Sequence, residues 1–249
     1  EHMKVLILIG NVPDTTTKVK FNADRTAFDT AGVQWIINPW DELALTRALE
    51  VKEVQAGAIE SITVANVGRA ETEATLRKAL AIGADKAFRI DADPADAFTV
   101  ATLLAPHCKE YDLIFAGVEA SDYNGNAVGP MLAEMLDIPS IAGVSGFNVE
   151  QGKPLFTREI DGGSQTVSAA VPVMAIVQKG IAKEPRIPAM RGIMMARTKP
   201  LQVIQPGPAE PRMKYAGFDL PPAKAACRKF SEEQAKDLIH ALRNEAKAL

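Results

Sequence analysis

The strongest constraint on the fold of this chain is a regular alternation of short apolar runs and helix-like segments along residues 3–140. The runs are residues 4–9, 61–67, 87–90 and 112–115. Their nearly continuous apolar character is typical of strands that are buried on both faces of a parallel sheet. Segments with helical periodicity separate them, which predicts right-handed βαβ units and helices on both faces. The sequence therefore predicts an α/β fold with a doubly wound, mostly parallel sheet.

Two Xaa-Pro pairs mark predicted helix starts in this region. Asn38-Pro39 places an N-cap residue before a proline in the first turn, and Asp93-Pro94 does the same further along the chain. Asp41 follows the first pair, where a negative charge complements the helix dipole. Before these helices, residues 10–15 are expected to form a loop after the first strand, and residues 18–28 a small hairpin.

The pattern changes after Pro139, where a new set of strand-like runs begins. They are residues 145–149, 155–160, 165–169 and 173–177. Turn residues such as Gln151-Gly152 separate them, which predicts hairpins. We therefore expect an antiparallel segment at about residues 140–180, which extends the sheet and completes a domain over residues 3–182.

The rest of the chain is rich in proline and poor in periodicity. In residues 183–200, three prolines and a glycine break any long helix, and five basic residues accompany one acidic residue. The sequence predicts an extended basic arm there and a second extended arm from residue 201. A compact single domain has no need of such arms, so they favour an obligate partner. Ser231 and Gln234 form a predicted capping box for a C-terminal helix within the segment 201–249.

Composition narrows the classes of protein to which the chain can belong. A net charge of −3 over 249 residues gives no reason to expect nucleic acid or a membrane surface as a partner. No apolar run reaches the roughly 18 residues of a membrane-spanning helix, and we expect a bacterial cytoplasmic protein. The two cysteines, Cys108 and Cys227, are too few for a disulfide framework or a multi-cysteine metal site.

A candidate anion site follows the strand at residues 112–115. Small and polar residues lead from it into a periodic helix that is predicted to begin near Asn126. Gly125 and Gly129 leave space where this helix begins, so backbone N–H groups can face an anion with the help of the helix dipole. An ordinary strand-to-helix turn, with glycines required by geometry alone, explains the same residues equally well.

Six ordered segments give the chain its resemblance to the small (beta) subunits of electron-transferring flavoproteins. The segments are VPDTTTKVK (12–20), NPWDELAL (38–45), TLRKALAIGADKA (75–87), GVEASDYNGNAVGPMLAE (117–134), TREIDGG (157–163) and EPRIPAMRGIMMARTKP (184–200). The resemblance implies a sheet of the adenine-nucleotide-binding type and a heterodimer with a large (alpha) subunit that carries FAD. Such a protein shuttles electrons from acyl-CoA or other dehydrogenases towards a quinone reductase, and the small subunit has no catalytic residue of its own.

The resemblance also implies a structural AMP in this subunit, and it indicates the residues that contact it. They are Leu8, Asn38, Pro39, Trp40, Asp41, Val67, Asp122, Tyr123, Asn124, Gly125, Asn126, Ala127, Val128, Gly129, Pro130, Met131, Leu132 and Ala133. Val12, Pro13 and Thr15 are expected to lie towards the partner's flavin.

Residues 184–197 correspond in this resemblance to a loop that anchors on partner dehydrogenases. Its expected contact residues are Glu184, Arg186, Ile187, Met190, Arg191, Ile193, Met194 and Arg197. Met190 stands at the position of the apolar anchor. The alternative from the residues alone is that these apolar side chains cover the chain's own core.

Other functions remain open at this point. A subset of the family bifurcates electrons and binds a second FAD in place of AMP, but Tyr123 and Asn126 depart from its D-G-D-T-A-Q-V-G-like loop. A stand-alone adenine-nucleotide-binding protein is a second alternative. An ATP-activating enzyme of the α-hydrolase kind would need a glycine- and serine-rich loop where this chain has residues 10–13, and dinucleotide and P-loop fingerprints are also lacking.

Overall fold

The computed structural model describes residues 2–249 of the chain. Its strands are Met3–Leu8 (β1), Asn11–Pro13 (β2), Trp35–Ile37 (β3), Ile59–Val67 (β4), Lys86–Ile90 (β5), Leu113–Gly117 (β6), Ser140–Glu150 (β7), Lys153–Ile160 (β8), Gly163–Ser168 (β9), Val173–Val177 (β10) and Leu201–Ile204 (β11). The main sheet has nine strands in the order β11-β5-β4-β1-β6-β10-β7-β8-β9, and a second sheet pairs β2 with β3.

The predicted parallel core of this sheet is confirmed. β1 pairs in parallel with β4 on one side and with β6 on the other, with Val5 opposite Leu113 and Ile7 opposite Phe115. These central strands are buried on both faces, as their continuous apolar runs predicted. The fold is therefore a doubly wound α/β arrangement with a mostly parallel sheet.

The helices are Pro39–Val54 (α1), Glu73–Ile82 (α2), Ala97–Leu104 (α3), Val128–Leu136 (α4), Met190–Ala196 (α5) and Ala235–Asn244 (α6). The first four cover the two faces of the sheet, whereas α5 packs on α2 and α6 has no buried residue. Leucines of α1 and α2 join one hydrophobic core, whereas leucines of α3 and α4 join the core on the opposite face. The chain thus winds outwards from β1 along one face and from β6 along the other.

Two predicted helix starts have different outcomes. α1 begins at Pro39 after Asn38, as the first Xaa-Pro pair predicted. The second prediction was wrong, because α3 begins at Ala97 and its cap is Asp96, whose side chain accepts a hydrogen bond from the Thr99 amide. An aspartate three residues before a threonine amide is the better cap, since its carboxylate reaches a free N–H of the first turn.

The strands after Pro139 correct one expectation. β7, β8 and β9 are antiparallel, as predicted. β10 is instead parallel to both of its neighbours and lies between β6 and β7. A short hairpin turn indicates that the two strands it joins are adjacent and antiparallel. It does not indicate where β10 inserts, because the chain crosses the sheet between β9 and β10.

Two segments near the amino end of the chain were only partly predicted. Residues 11–13 form strand β2, which pairs with β3, where the sequence predicted only a loop. The predicted hairpin at residues 18–28 is present as a turn closed by an isolated bridge between Phe21 and Phe28. A three-residue strand is too short to show the alternation by which strands are recognised.

The C-terminal third is more structured than its prolines indicated. The arm at residues 183–200 contains the short helix α5, and Leu201–Ile204 adds β11 to the sheet edge as a parallel partner of β5. The capping box of the C-terminal helix is confirmed, with the Ser231 amide donating to Gln234 Oε1 over 3.0 Å. Within residues 2–249, no helix is long and apolar enough to cross a membrane.

Candidate functional site

The candidate site lies at the carboxyl edge of the sheet, between β1 and β6. The chain leaves β1 towards the face covered by α1 and leaves β6 towards the face covered by α4. Such a point, where the winding direction reverses, leaves a crevice between the two loops, and ligands of open α/β sheets bind there. We call this region the carboxyl-edge crevice and define it by Leu8, Val67 and residues 117–128.

Asp41 fastens the two loops that flank this point. Its Oδ2 accepts a hydrogen bond from the Gly10 amide at 2.8 Å, and its Oδ1 accepts one from the Gly117 amide at 2.7 Å. Only 5% of Asp41 is exposed, and burial raises its pKa from 3.8 to about 7, although the two amides and Asn38 favour the charged form. The carboxylate was expected to contact AMP, but both of its oxygens are engaged by the chain's own backbone.

Asn38 makes a second connection between α1 and the loop after β6. Its Nδ2 donates to the Glu119 carbonyl at 2.8 Å, and its Oδ1 accepts from the Ser121 amide at 3.1 Å. The side chain is 2% exposed. Asn38 therefore fixes the backbone of the crevice and leaves no free polar atom for a ligand at its amide group.

Gly117 makes this close approach possible. A Cβ at Gly117 would lie 2.4 Å from Asp41 Oδ1 and 3.0 Å from Asn38 Nδ2. These atoms belong to side chains that are already held by hydrogen bonds, so they cannot move away cheaply. The sequence signal that could have shown this is a glycine at the last position of a buried strand, next to the predicted anion site.

The loop between β6 and α4 offers backbone groups to a ligand. Asn124 and Asn126 have φ of 49° and 44°, the left-handed backbone that asparagine tolerates better than most residues. Within the described part of the chain, no side chain caps the first turn of α4, and a Cβ at Gly125 would meet no atom within 4 Å. The start of this helix therefore keeps open space and the partial positive charge that favours an anion.

Several of the expected contact residues lie elsewhere. Leu132 is fully buried and Ala133 is 2% exposed in the core beneath α4, so the fold does not offer them to a ligand at the helix start. Gly129 has a packing role, because a Cβ there would lie 3.2 Å from Ala116 and Ile176. The inward face of the helix therefore belongs to the core, whereas the expected contact residues Pro130 and Met131 are exposed on its outer face.

Four further expected contact residues are divided between the two faces of the sheet. Leu8 and Val67 belong to the core on the α4 side, where they form apolar floor beside the loop. Pro39 and Trp40 are half-buried at the start of α1 on the opposite face. Residues 117–121 are brought to the same place by Asn38 and Asp41, and sequence reasoning did not assign them to the site.

One of the expected flavin-facing residues points inwards. Val12 is 1% exposed and belongs to the chain's own core, so it does not face a partner. Pro13 is half-buried and Thr15 is exposed beside it. Pairing of β2 with β3 turns the Val12 side chain towards the core, and that pairing was not visible in the sequence.

The 183–200 loop lies on a different surface, over the ends of α1 and α2. Arg186 is held by both oxygens of Glu53, at 2.7 and 2.6 Å. At its other end, Arg77 donates to the carbonyls of Ala196 and Lys199, at 2.8 Å each. The helix α5 between these anchors sits so close to α2 that a Cβ at Gly192 would lie 2.4 Å from the Ala81 carbonyl oxygen.

The apolar side chains of this loop point into solvent. Their exposed fractions are 87% for Ile187, 73% for Met190, 42% for Ile193, 66% for Met194 and 49% for Met195. They therefore do not cover the chain's own core, which was the alternative interpretation. Glu184, Arg191 and Arg197 are exposed as well, so all the expected partner-contact residues except the half-buried Arg186 lie at the surface.

Comparison with known proteins assigns this architecture to a family. A family model described as electron transfer flavoprotein domain matches residues 26–209. The chain is 35% identical to the electron transfer flavoprotein subunit beta of Bacillus subtilis (strain 168), with 99% of this chain and 100% of the relative covered. It is 31% identical to the human protein of the same description, with 97% of each chain covered. This chain therefore belongs to the electron transfer flavoprotein family and is a homologue of its beta subunits.

Proposed function

We infer that this chain is the small subunit of a heterodimeric electron transfer flavoprotein. The observation that carries this proposal is the match to beta subunits over almost the whole length of both chains. In such a heterodimer the FAD of the large subunit supplies the redox chemistry. The residues of this chain bind a structural nucleotide, hold the two subunits together and bring dehydrogenases close to the flavin.

The carboxyl-edge crevice fits a structural AMP. The uncapped start of α4 suits a phosphate, while Leu8 and Val67 offer apolar surface to a base or sugar. Asp122 is the one acidic residue among the expected loop contacts, and desolvation raises its pKa, which weakens its repulsion of a phosphate. The backbone of this loop includes two asparagines with left-handed φ angles. Contacts with a bound nucleotide would stabilise that backbone conformation.

The C-terminal segment fits a surface of the large subunit. Leu238 and Ile239 of α6 are 39% and 51% exposed, and they lie on a helix with polar residues on its other side. An amphipathic helix gains stability mainly by burying its apolar face against another element. We assign α6 and the largely exposed residues 220–234 before it to this contact, which makes the large subunit an obligate partner.

The exposed apolar side chains of the 183–200 loop fit a transient contact with acyl-CoA or other dehydrogenases. The Arg186 amide donates to Thr46 Oγ1 of α1 at 3.0 Å, and Arg77 of α2 donates to the Ala196 carbonyl, so little backbone ordering is needed when the side chains dock. Methionines adapt to more than one partner surface, which suits a carrier that meets several dehydrogenases and a quinone reductase. The contact can remain small and release quickly.

The experiment is to co-express this chain with its large subunit, denature the purified complex and quantify the released nucleotides by chromatography and mass spectrometry. We expect one FAD and one AMP per heterodimer. Two FAD and no AMP would instead support an electron-bifurcating protein, and a chain that stays monomeric with a bound adenine nucleotide would support a stand-alone binding protein.

A further inference from the structure

A segment of the C-terminal third crosses over the carboxyl edge of the sheet. We call residues 211–219 the strap. At one end the amides of Arg212 and Met213 donate to Asp96 Oδ2, at 2.6 and 2.9 Å, and the Arg212 guanidinium lies 5.0 Å from the centre of the Phe98 ring. This end is therefore fixed to the start of α3, next to the carboxyl end of β5.

The other end of the strap is fixed to the turn at residues 18–28. The Phe218 amide donates to the Arg25 carbonyl at 2.9 Å, and Arg25 Nη1 pairs with Asp219. The Phe218 ring stacks on Phe21, with 5.2 Å between ring centres and 17° between the planes. Two separate anchors thus hold a nine-residue segment that contains no helix or strand of its own.

Between the anchors, the strap touches the nucleotide loop. Tyr215 lies against Tyr123, with ring centres 5.2 Å apart and planes tilted by 33°, and on its other side it stacks on Phe218 at 5.3 Å. Tyr123, Tyr215, Phe218 and Phe21 therefore form a continuous row of aromatic rings. The row connects the loop between β6 and α4 to the turn at residues 18–28.

Tyr123 belongs to the loop of the carboxyl-edge crevice, and 55% of it is exposed. The Tyr215 ring lies against it from the strap. Desolvation raises the pKa of Tyr123, and so do Tyr215 and the carboxylates of Asp122 and Asp93. The strap therefore covers part of an aromatic side chain of the proposed nucleotide loop.

We propose that the strap closes the nucleotide site, and that Tyr215 is a positioning residue that holds Tyr123 against the bound nucleotide. This inference rests on the proposed binding of AMP in the carboxyl-edge crevice. An aromatic wall can cover the planar face of a base, and the second ring behind it keeps the wall from swinging into solvent. The strap thereby slows the release of the nucleotide without contributing a contact to its phosphate.

The test uses the co-expressed heterodimer after its nucleotide content has been measured. The complex is mixed with an excess of isotope-labelled AMP, and exchange of the bound AMP is followed by rapid gel filtration and mass spectrometry. Loss of one aromatic pair accelerates exchange by roughly five-fold, so we expect that change for Tyr215→Ala. Tyr215→Phe keeps the ring and is expected to exchange at the wild-type rate.

Two further variants separate retention of the nucleotide from general stability. Asp219→Ala releases the far anchor, and it is expected to accelerate exchange by a smaller factor. Phe230→Ala is the matched control, because Phe230 stacks with Arg228 outside the aromatic row and its loss should leave exchange unchanged. The melting temperature of every variant at saturating AMP is expected to match that of the wild type, since Tyr215 is 52% exposed.

The outcomes distinguish the two proposals. AMP in the complex together with wild-type exchange for Tyr215→Ala would overturn the role of the strap and leave the proposed function intact. A complex without AMP would contradict the nucleotide assignment itself, and this is known before any exchange is measured.

Discussion

The carboxyl-edge crevice and the 183–200 loop both have an anchored backbone, but they differ in which side chains they bury and which they expose. In the crevice, the polar side chains of Asp41 and Asn38 are buried and form hydrogen bonds with the chain's own backbone. In the loop, the backbone is held at both ends, but the apolar side chains of Ile187 and Met190 remain in solvent. Under the proposed function, this difference suits a ligand that stays in the crevice and partners that bind to the loop and leave.

The difference shows how burial separates structural from functional residues. A buried carboxylate must have its hydrogen bonds satisfied, so changing Asp41 or its partners is expected to affect the fold first. An exposed methionine contributes little to the isolated chain, so changing it is expected to affect only complex formation. Stability and electron transfer should therefore respond to different substitutions.

Gly117→Ala should have the largest effect on stability. Its Cβ would meet Asp41 Oδ1 at 2.4 Å, so the two loops of the crevice must separate. We expect a loss of about 3 kcal/mol in the free energy of unfolding, or roughly 6–12 °C in melting temperature. Gly125→Ala is the matched control, since its Cβ would meet open space. A similar loss of stability in both variants would contradict the role of the hydrogen bonds that join the two loops through Asp41.

Asp41→Asn should have the next largest effect, because an amide can accept only one of the two backbone hydrogen bonds. We expect a loss of about 1–3 kcal/mol in the free energy of unfolding at low pH, measured by urea denaturation. The wild type should also depend on pH in a particular direction. The pKa of Asp41 is raised from 3.8 to about 7 in the folded chain, so the folded state binds the extra proton between these values.

Protonation of Asp41 therefore makes its full contribution to the free energy of unfolding below about pH 4, and this contribution is lost as the pH rises through about 7. Between those values the free energy of unfolding of the wild type should fall relative to that of Asp41→Asn. A difference between the two proteins that stays constant with pH would show that Asp41 is charged in the folded chain at all these values.

Gly192→Ala tests whether the loop depends on its backbone as the crevice does. The new Cβ would lie 2.4 Å from the Ala81 carbonyl oxygen, so α5 must move off α2. We expect about 1 kcal/mol of destabilisation, together with slower reduction of the flavin by a dehydrogenase. Normal kinetics in this variant would mean that the position of α5 is unimportant for docking.

Met190→Ala should have the smallest effect on stability and a clear effect on electron transfer. The side chain is 73% exposed, so the free energy of unfolding should change by less than about 0.5 kcal/mol. Burying it in a dehydrogenase contributes about 1.5–3 kcal/mol, so the KM for that partner should rise roughly ten-fold at unchanged flavin content. Met135→Ala, which removes another solvent-accessible methionine, is the control, and equal kinetics in both variants would remove the anchoring role.

The parts of the fold that the sequence predicted are those with a local cause. Continuous apolar runs identify β1, β4 and β6, and a proline after an N-cap residue identifies the start of α1. The insertion of β10 between β6 and β7 depends on pairing across 60 residues, from Val173 to Leu113, and across 34 residues, from Met174 to Ser140, and no short-range pattern indicates it. The segment containing α5 was predicted as extended because its prolines exclude a long helix, although they permit a helix of two turns.

The sequence by itself determined the fold class and the family resemblance, and it predicted where along the chain the candidate site lies, because each follows from neighbouring residues and their spacing. Only the tertiary structure decided what each residue does there. It showed that Asp41 joins the loops after β1 and β6, that Leu132 and Ala133 belong to the core, and that Tyr215 reaches Tyr123. These roles depend on which segments come into contact in the folded chain, because hydrogen bonding and burial are determined by those contacts.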